Sequence, residues 1–87
     1  MTKNDLWDTI ESNELLVMDG YDDCIIGIGY RYGSEPYVVY DTNKIINKLM
    51  KEDGMTYHQA YEYHEFNQAG AYIGPKTPGF IELFEND

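Results

Sequence analysis

The sequence predicts a small α+β domain: a sheet of three or four mainly antiparallel strands with helices packed on one face. Three observations carry that prediction. Between Cys24 and Asp41 side-chain character alternates with a period of two, as it does in strands. From Asp41 onward the period becomes helical, with Ile45, Ile46, Leu49 and Met50 on one side. Start and stop signals then bracket two helical runs, Asp41-Thr42 and Gly54 around the first, Thr56-Tyr57-His58-Gln59 and Gly70 around the second. Helices that follow the strands, rather than alternating with them, define the class. Eighty-seven residues make one domain, 1–87.

Asn4 is placed to cap a first helix over 4–12, with Asp5 and Asp8 in the opening turn, where the helix dipole favours acids. Leu6, Trp7 and Ile10 form its apolar side. Residues 14–18 are expected as a short strand, and Asp19-Gly20-Tyr21-Asp22-Asp23 as the turn that follows. In a strand over 24–32 the even positions Cys24, Ile26, Ile28, Tyr30 and Tyr32 are bulky and expected to face the core. The odd positions include the bare pair Gly27 and Gly29. Gly33-Ser34-Glu35-Pro36 then turns the chain into a strand over 37–41. A loop of that length sets Tyr32 opposite Tyr37, Tyr30 opposite Val39 and Gly29 opposite Tyr40. It lays the Tyr40 ring across the glycine track. A groove that admits a ligand or a partner backbone is the competing use of such a track, and packing is the stronger one. Helices over 42–52 and 56–69 come next. After turns at Gly74-Pro75 and Pro78-Gly79, Phe80 to Phe84 adds a last strand.

Sixteen acidic residues face six basic ones, a formal charge of −10. Residues 1–41 hold nine acids and two bases, so the N-terminal half alone carries −7. Such a surface repels nucleic acid and anionic membranes and attracts basic protein surfaces. Lys44, Lys48 and Lys51 form a basic line on the flank of the helix over 42–52. Nine tyrosines are more than a chain this short can hide, which points to an exposed aromatic surface. One cysteine excludes an internal disulfide and a multi-cysteine metal cluster. No secretory leader and no long apolar run occurs, so a reducing cytosol fits best. A chain of this size buries roughly 60–65% of its unfolded surface, so either the core is economical or a homodimer supplements it.

Patterns that suggest chemistry have simpler explanations. Gly27-x-Gly29 lies inside a strand, not at the strand-to-helix turn a phosphate loop needs. Cys24, His64 and Asn67 are the residue types of a thiol-protease triad, but Cys24 is expected in the core beside acids, which disfavour a thiolate. His58, Glu62 and Glu65 share a helix flank without the spacing of a metal motif, and a solvated face explains them. No catalytic residue, cofactor or metal is expected. The densest acidic cluster is Asp19, Asp22 and Asp23, with Asp41 expected near it across the sheet and Tyr21 among it as an aromatic anchor. An ordinary polar turn, imitation of a phosphate row for a basic partner, and a magnesium site all fit it. Arg31 and Tyr40 complete the set of candidate binding residues, through pairing to a phosphate and stacking over the glycine track.

The stretches DGYDDCIIGIGYRYG, VVYD followed by a lysine-bearing helix, and DGMTYHQAYEYHEFNQAGAYIGPKTPGFI resemble a group of small proteins of unknown function encoded by tailed bacteriophages. The resemblance covers roughly residues 19–81. It implies a phage accessory protein in the cytoplasm of the host bacterium and transfers no catalytic residue. Together with the charge, it leads to the expectation of a non-enzymatic inhibitor. Its acidic surface would dock on a basic surface of a host nucleic-acid-handling or defence protein, without contacting nucleic acid or membrane. The rival expectation is a small-molecule sponge that sequesters a host signalling nucleotide.

Overall fold

The computed structural model describes residues 1–70 and 74–84. A capping box opens α1 (Lys3–Ser12): Thr2 Oγ1 accepts from the Asp5 amide at 3.1 Å, and the Asp5 carboxylate accepts from the Thr2 amide at 3.0 Å. The cap is therefore Thr2 rather than Asn4. The helix ends where Glu14 adopts a left-handed φ of 52°. The Glu14 amide donates to the Glu11 carbonyl at 3.2 Å and the Leu15 amide to the Ile10 carbonyl at 2.9 Å, which together make a Schellman end. Leu15 and Ile10 are both buried in the core, as that motif favours. This end is why 14–18 is not the expected strand. Leu15 is committed to the helix terminus, and the Met18 amide donates to the Tyr40 hydroxyl at 2.7 Å instead of to a neighbouring strand.

The sheet holds β1 (Ile25–Gly29), β2 (Tyr37–Asp41) and β3 (Gly79–Ile81) in the order β1-β2-β3. β1 and β2 are antiparallel and β2 and β3 parallel, so the sheet is mixed rather than mainly antiparallel. The parallel pairing needs a crossover long enough to return the chain, and the helices between β2 and β3 supply it. β1 is shorter than 24–32. Asp22–Cys24 form a 3₁₀ turn before it, and residues 30–36 form the loop after it.

The register also differs from the expected one. Gly29 lies opposite Tyr37, Ile28 opposite Val38, Gly27 opposite Val39 and Ile25 opposite Tyr40, with a bulge at Ile26. One inserted residue exchanges the faces of a strand. Ile25 and Ile28 thus join Val38 and Tyr40 in the core, while Ile26, Tyr30 and Tyr32 are exposed.

The glycine track is packed by Tyr37 and not by Tyr40. A β-carbon on Gly29 would lie 2.5 Å from the Tyr37 ring, and one on Gly79 2.8 Å from it, whereas one on Gly27 would meet nothing within 4 Å. Gly29→Ala should push the ring off the sheet at a cost of about 1–2 kcal/mol. Gly27→Ala should be neutral or stabilise by about 0.5 kcal/mol, since alanine has less freedom to lose on folding. Urea melts of the two variants check this. Equal midpoints would contradict the seat of Tyr37 on Gly29.

α2 (Thr42–Glu52) starts at Asp41, whose carboxylate accepts from the amides of Asn43 at 2.8 Å and Lys44 at 3.3 Å. Its buried side carries Ile45, Ile46 and Leu49. Gly54, with φ 68°, turns the chain towards α3 (Tyr57–His64). The Thr56–Gln59 capping box forms as its sequence pattern predicts. From Glu65 to Ala69 the helix widens into a π turn, closed by the Gly70 amide on the Glu65 carbonyl at 3.2 Å. Side chains from all three helices and from one face of the sheet meet in a single apolar cluster, with Tyr40, Ile45, Ile46, Leu49 and Val38 at its centre.

Candidate functional site

Burial sends Ile10 inward and leaves Leu6 and Trp7, nearer the start of α1, only partly covered. The bulge in β1 turns Ile26 outward, and Gly27 beside it has no side chain to fill the space. Between these elements lies a cleft of 750 Å³. Leu6 and Trp7 line it from α1, Ile25, Ile26 and Gly27 line it from β1, and its charges are the amino terminus at Met1, Lys3, Asp22 and Asp23. Apolar walls beside an exposed carboxylate suit a cation with an apolar stem.

The structure separates the seven residues singled out from the sequence. Asp19, Asp22 and Asp23 are exposed, as a polar turn requires. The Asp22 carboxylate makes no hydrogen bond or ion pair with any described residue, while the Asp22 carbonyl accepts from the Ile25 amide. Asp23, its neighbour, accepts from the Lys48 ammonium at 3.2 Å through both carboxylate oxygens, and Lys48 also meets Glu52 at 3.1 Å. The Lys48 contact holds the Asp23 carboxyl below its usual range. Tyr21 is half-buried against the core, and burial raises its hydroxyl pKa. It is no exposed anchor. Tyr40 is wholly buried, and Asp41, 6% exposed, is occupied as the α2 cap. These two residues have no surface to offer a partner. Arg31 is exposed in the β1–β2 loop, on a second cleft of 570 Å³ that it shares with Ser34, Tyr37 and Gly79. Nothing in the sequence pattern marks Trp7, Leu6 and Ile26 as cleft residues.

The residue types that suggested chemistry lie in ordinary surroundings. Cys24 is buried, and its thiol is pushed up to about 11, first by burial and then by the neighbouring Asp23 charge. His64 Nδ1 lies 2.8 Å from Gln68 Oε1, so in the neutral ring Nδ1 carries the proton, and the ring edge packs on Phe80 at 4.8 Å. Asn67 Nδ2 donates to the Tyr63 carbonyl at 3.0 Å, a bond within its own helix. His58 pairs with Glu62 at 3.0 Å on a solvated face. Among the described residues no three of His, Cys, Asp and Glu come together to hold a metal, and no helix is long and apolar enough to cross a membrane.

In comparison with known proteins, the chain matches no family model, no curated protein and no solved structure.

Proposed function

We propose that the protein acts by binding rather than by chemistry. Its acidic N-terminal surface docks on a basic surface of a host protein that handles nucleic acid or defends the bacterium, and blocks it. The observation that carries this reading is a set of uncompensated acids. Asp5, Asp8, Glu11, Glu14, Asp19 and Asp22 are all exposed, and none forms an ion pair among the described residues. Unpaired like charges destabilise a small domain through mutual repulsion, a cost that a basic partner relieves. The resemblance to small phage proteins supports a setting in the host cytoplasm. A nucleic-acid-binding groove is the kind of host surface with the complementary charge. A pull-down from bacterial lysate, at low and then high salt, tests this. One host protein should be retained at low salt and released at high salt. No retained protein, or retention indifferent to salt, would leave the acids as a solubility device.

One observation favours a second reading, the capture of a signalling nucleotide. Arg31 has no ion-pair partner among the described residues and shares its cleft with the Tyr37 ring, the chemistry for a phosphate beside a stacked base. A thermal shift with cyclic or linear nucleotides, lost in Arg31→Ala, would select that reading.

A further inference from the structure

We infer that the cleft between α1 and β1 receives an arginine side chain from an extended segment of the partner, with its guanidinium on Asp22 and its stem against Trp7. This rests on the proposed docking to a basic protein. Trp7, Leu6 and Ile26 supply apolar walls, and Asp22 is the carboxylate in the lining that has no ion-pair partner among the described residues. Asp23, one residue on, is already engaged by Lys48. A long apolar stem that ends in a cation satisfies both features of the cleft, because the stem covers the walls while the charge remains hydrated at one end. Arginine suits it better than lysine. Its guanidinium is planar and weakly hydrated, stacks on an indole face and forks onto a carboxylate.

Three further features fit this occupant. A cleft of 750 Å³ is large enough for a side chain together with part of its flanking backbone. β1 is at an edge of the sheet, and the space over Gly27 is open, so an extended segment can run alongside it. The chain's charge of −10 draws a cationic segment and repels an acidic one. Lys3 and the amino terminus at Met1 also line the cleft and must swing aside when the arginine enters.

Trp7 is the sole tryptophan, so its fluorescence reports on this cleft alone. The probe is an acetylated, amidated pentapeptide of threonines with a central arginine, compared with the same peptide carrying citrulline, the uncharged isostere. Saturable change in Trp7 emission is expected with the arginine peptide, and binding about tenfold weaker with citrulline. Asp22→Asn should lower the arginine peptide to the citrulline level, and Asp23→Asn should change it less than about twofold. Both are surface substitutions, and an unchanged melting temperature confirms that the fold is intact. Equal binding of the two peptides, equal effects of the two variants, or no saturable change would each overturn the inference. The lysate experiment separates the two levels. If Asp22→Asn retains the host protein as wild type does, the arginine inference falls and the docking stands. If the peptide binds but no host protein is retained, the docking falls and the cleft remains a guanidinium site.

Discussion

Replacing Tyr40 with Phe should lower stability by about 1–3 kcal/mol, and replacing it with Ala should remove a large share of the chain's stability. Tyr40 is fully buried, its ring stacks on Phe80 at 5.7 Å, and its hydroxyl accepts from the Met18 amide at 2.7 Å. Phe keeps the ring but strands that amide away from water. Ala removes the ring as well, for about 3–5 kcal/mol, out of a total of about 4–13 kcal/mol for a chain of this length. The melting temperature of Tyr40→Phe should fall by about 5–15 °C. Burial also raises the Tyr40 hydroxyl above its usual value near 10. The unfolded chain therefore releases this proton first as pH rises, so the contribution is complete below that value and is lost as pH climbs through the raised one. Tyr40→Phe should lose less stability than wild type between neutral and strongly alkaline pH. A melting temperature unchanged by the Phe substitution would show that the hydroxyl does not hold residues 15–18 in place.

Reversing Asp19 and Asp22 together to Lys should weaken the complex with the host protein about thirtyfold at low salt, mainly through slower association. Both side chains are exposed, and neither is paired with a described cation, so their charges are free to act on a partner. Asp23 is the wrong residue for this experiment. Its reversal would break the contact with Lys48 and set two cations against each other, confusing binding with stability. Glu65→Lys is the control, since Glu65 lies on the π turn, outside residues 1–41, and forms no ion pair among the described residues. That reversal should cost less than about threefold.

Local signals made the helices legible in the sequence. The Thr56–Gln59 capping box and the cap of α2 are fixed by residues a few positions apart; the box forms as read, and of Asp41 and Thr42 it is Asp41 that caps. The same logic slipped at α1 because Thr2 and Asn4 are both good caps, and the reciprocal bond with Asp5 decides for Thr2. The sheet was harder. Ile25 and Ile26 are equally apolar, so nothing in the alternation shows that a bulge lies between Ile25 and Gly27, and that bulge turns Ile25 inward and Ile26 outward while Cys24 and Ile28 keep the expected side. The pairing of β3 with β2 is non-local, and Phe80 reveals its place against Tyr40 only once the helices have brought it back. The candidate site was legible as an acidic turn. Which of its carboxylates stays free was not, because that depends on where α2 sets Lys48. Trp7 read as a core residue because a helical stripe does not say how far along it burial extends.

The measurement that bears most directly on docking through the acidic surface is the dependence of affinity on salt for the purified host protein, with wild type and with Asp19→Lys/Asp22→Lys side by side. Wild type should show a steep fall in the logarithm of affinity with the logarithm of salt concentration, and the double variant a distinctly shallower one. The two lines should converge as screening shortens the reach of the charges at high salt. Parallel lines, or a wild-type affinity indifferent to salt, would contradict it.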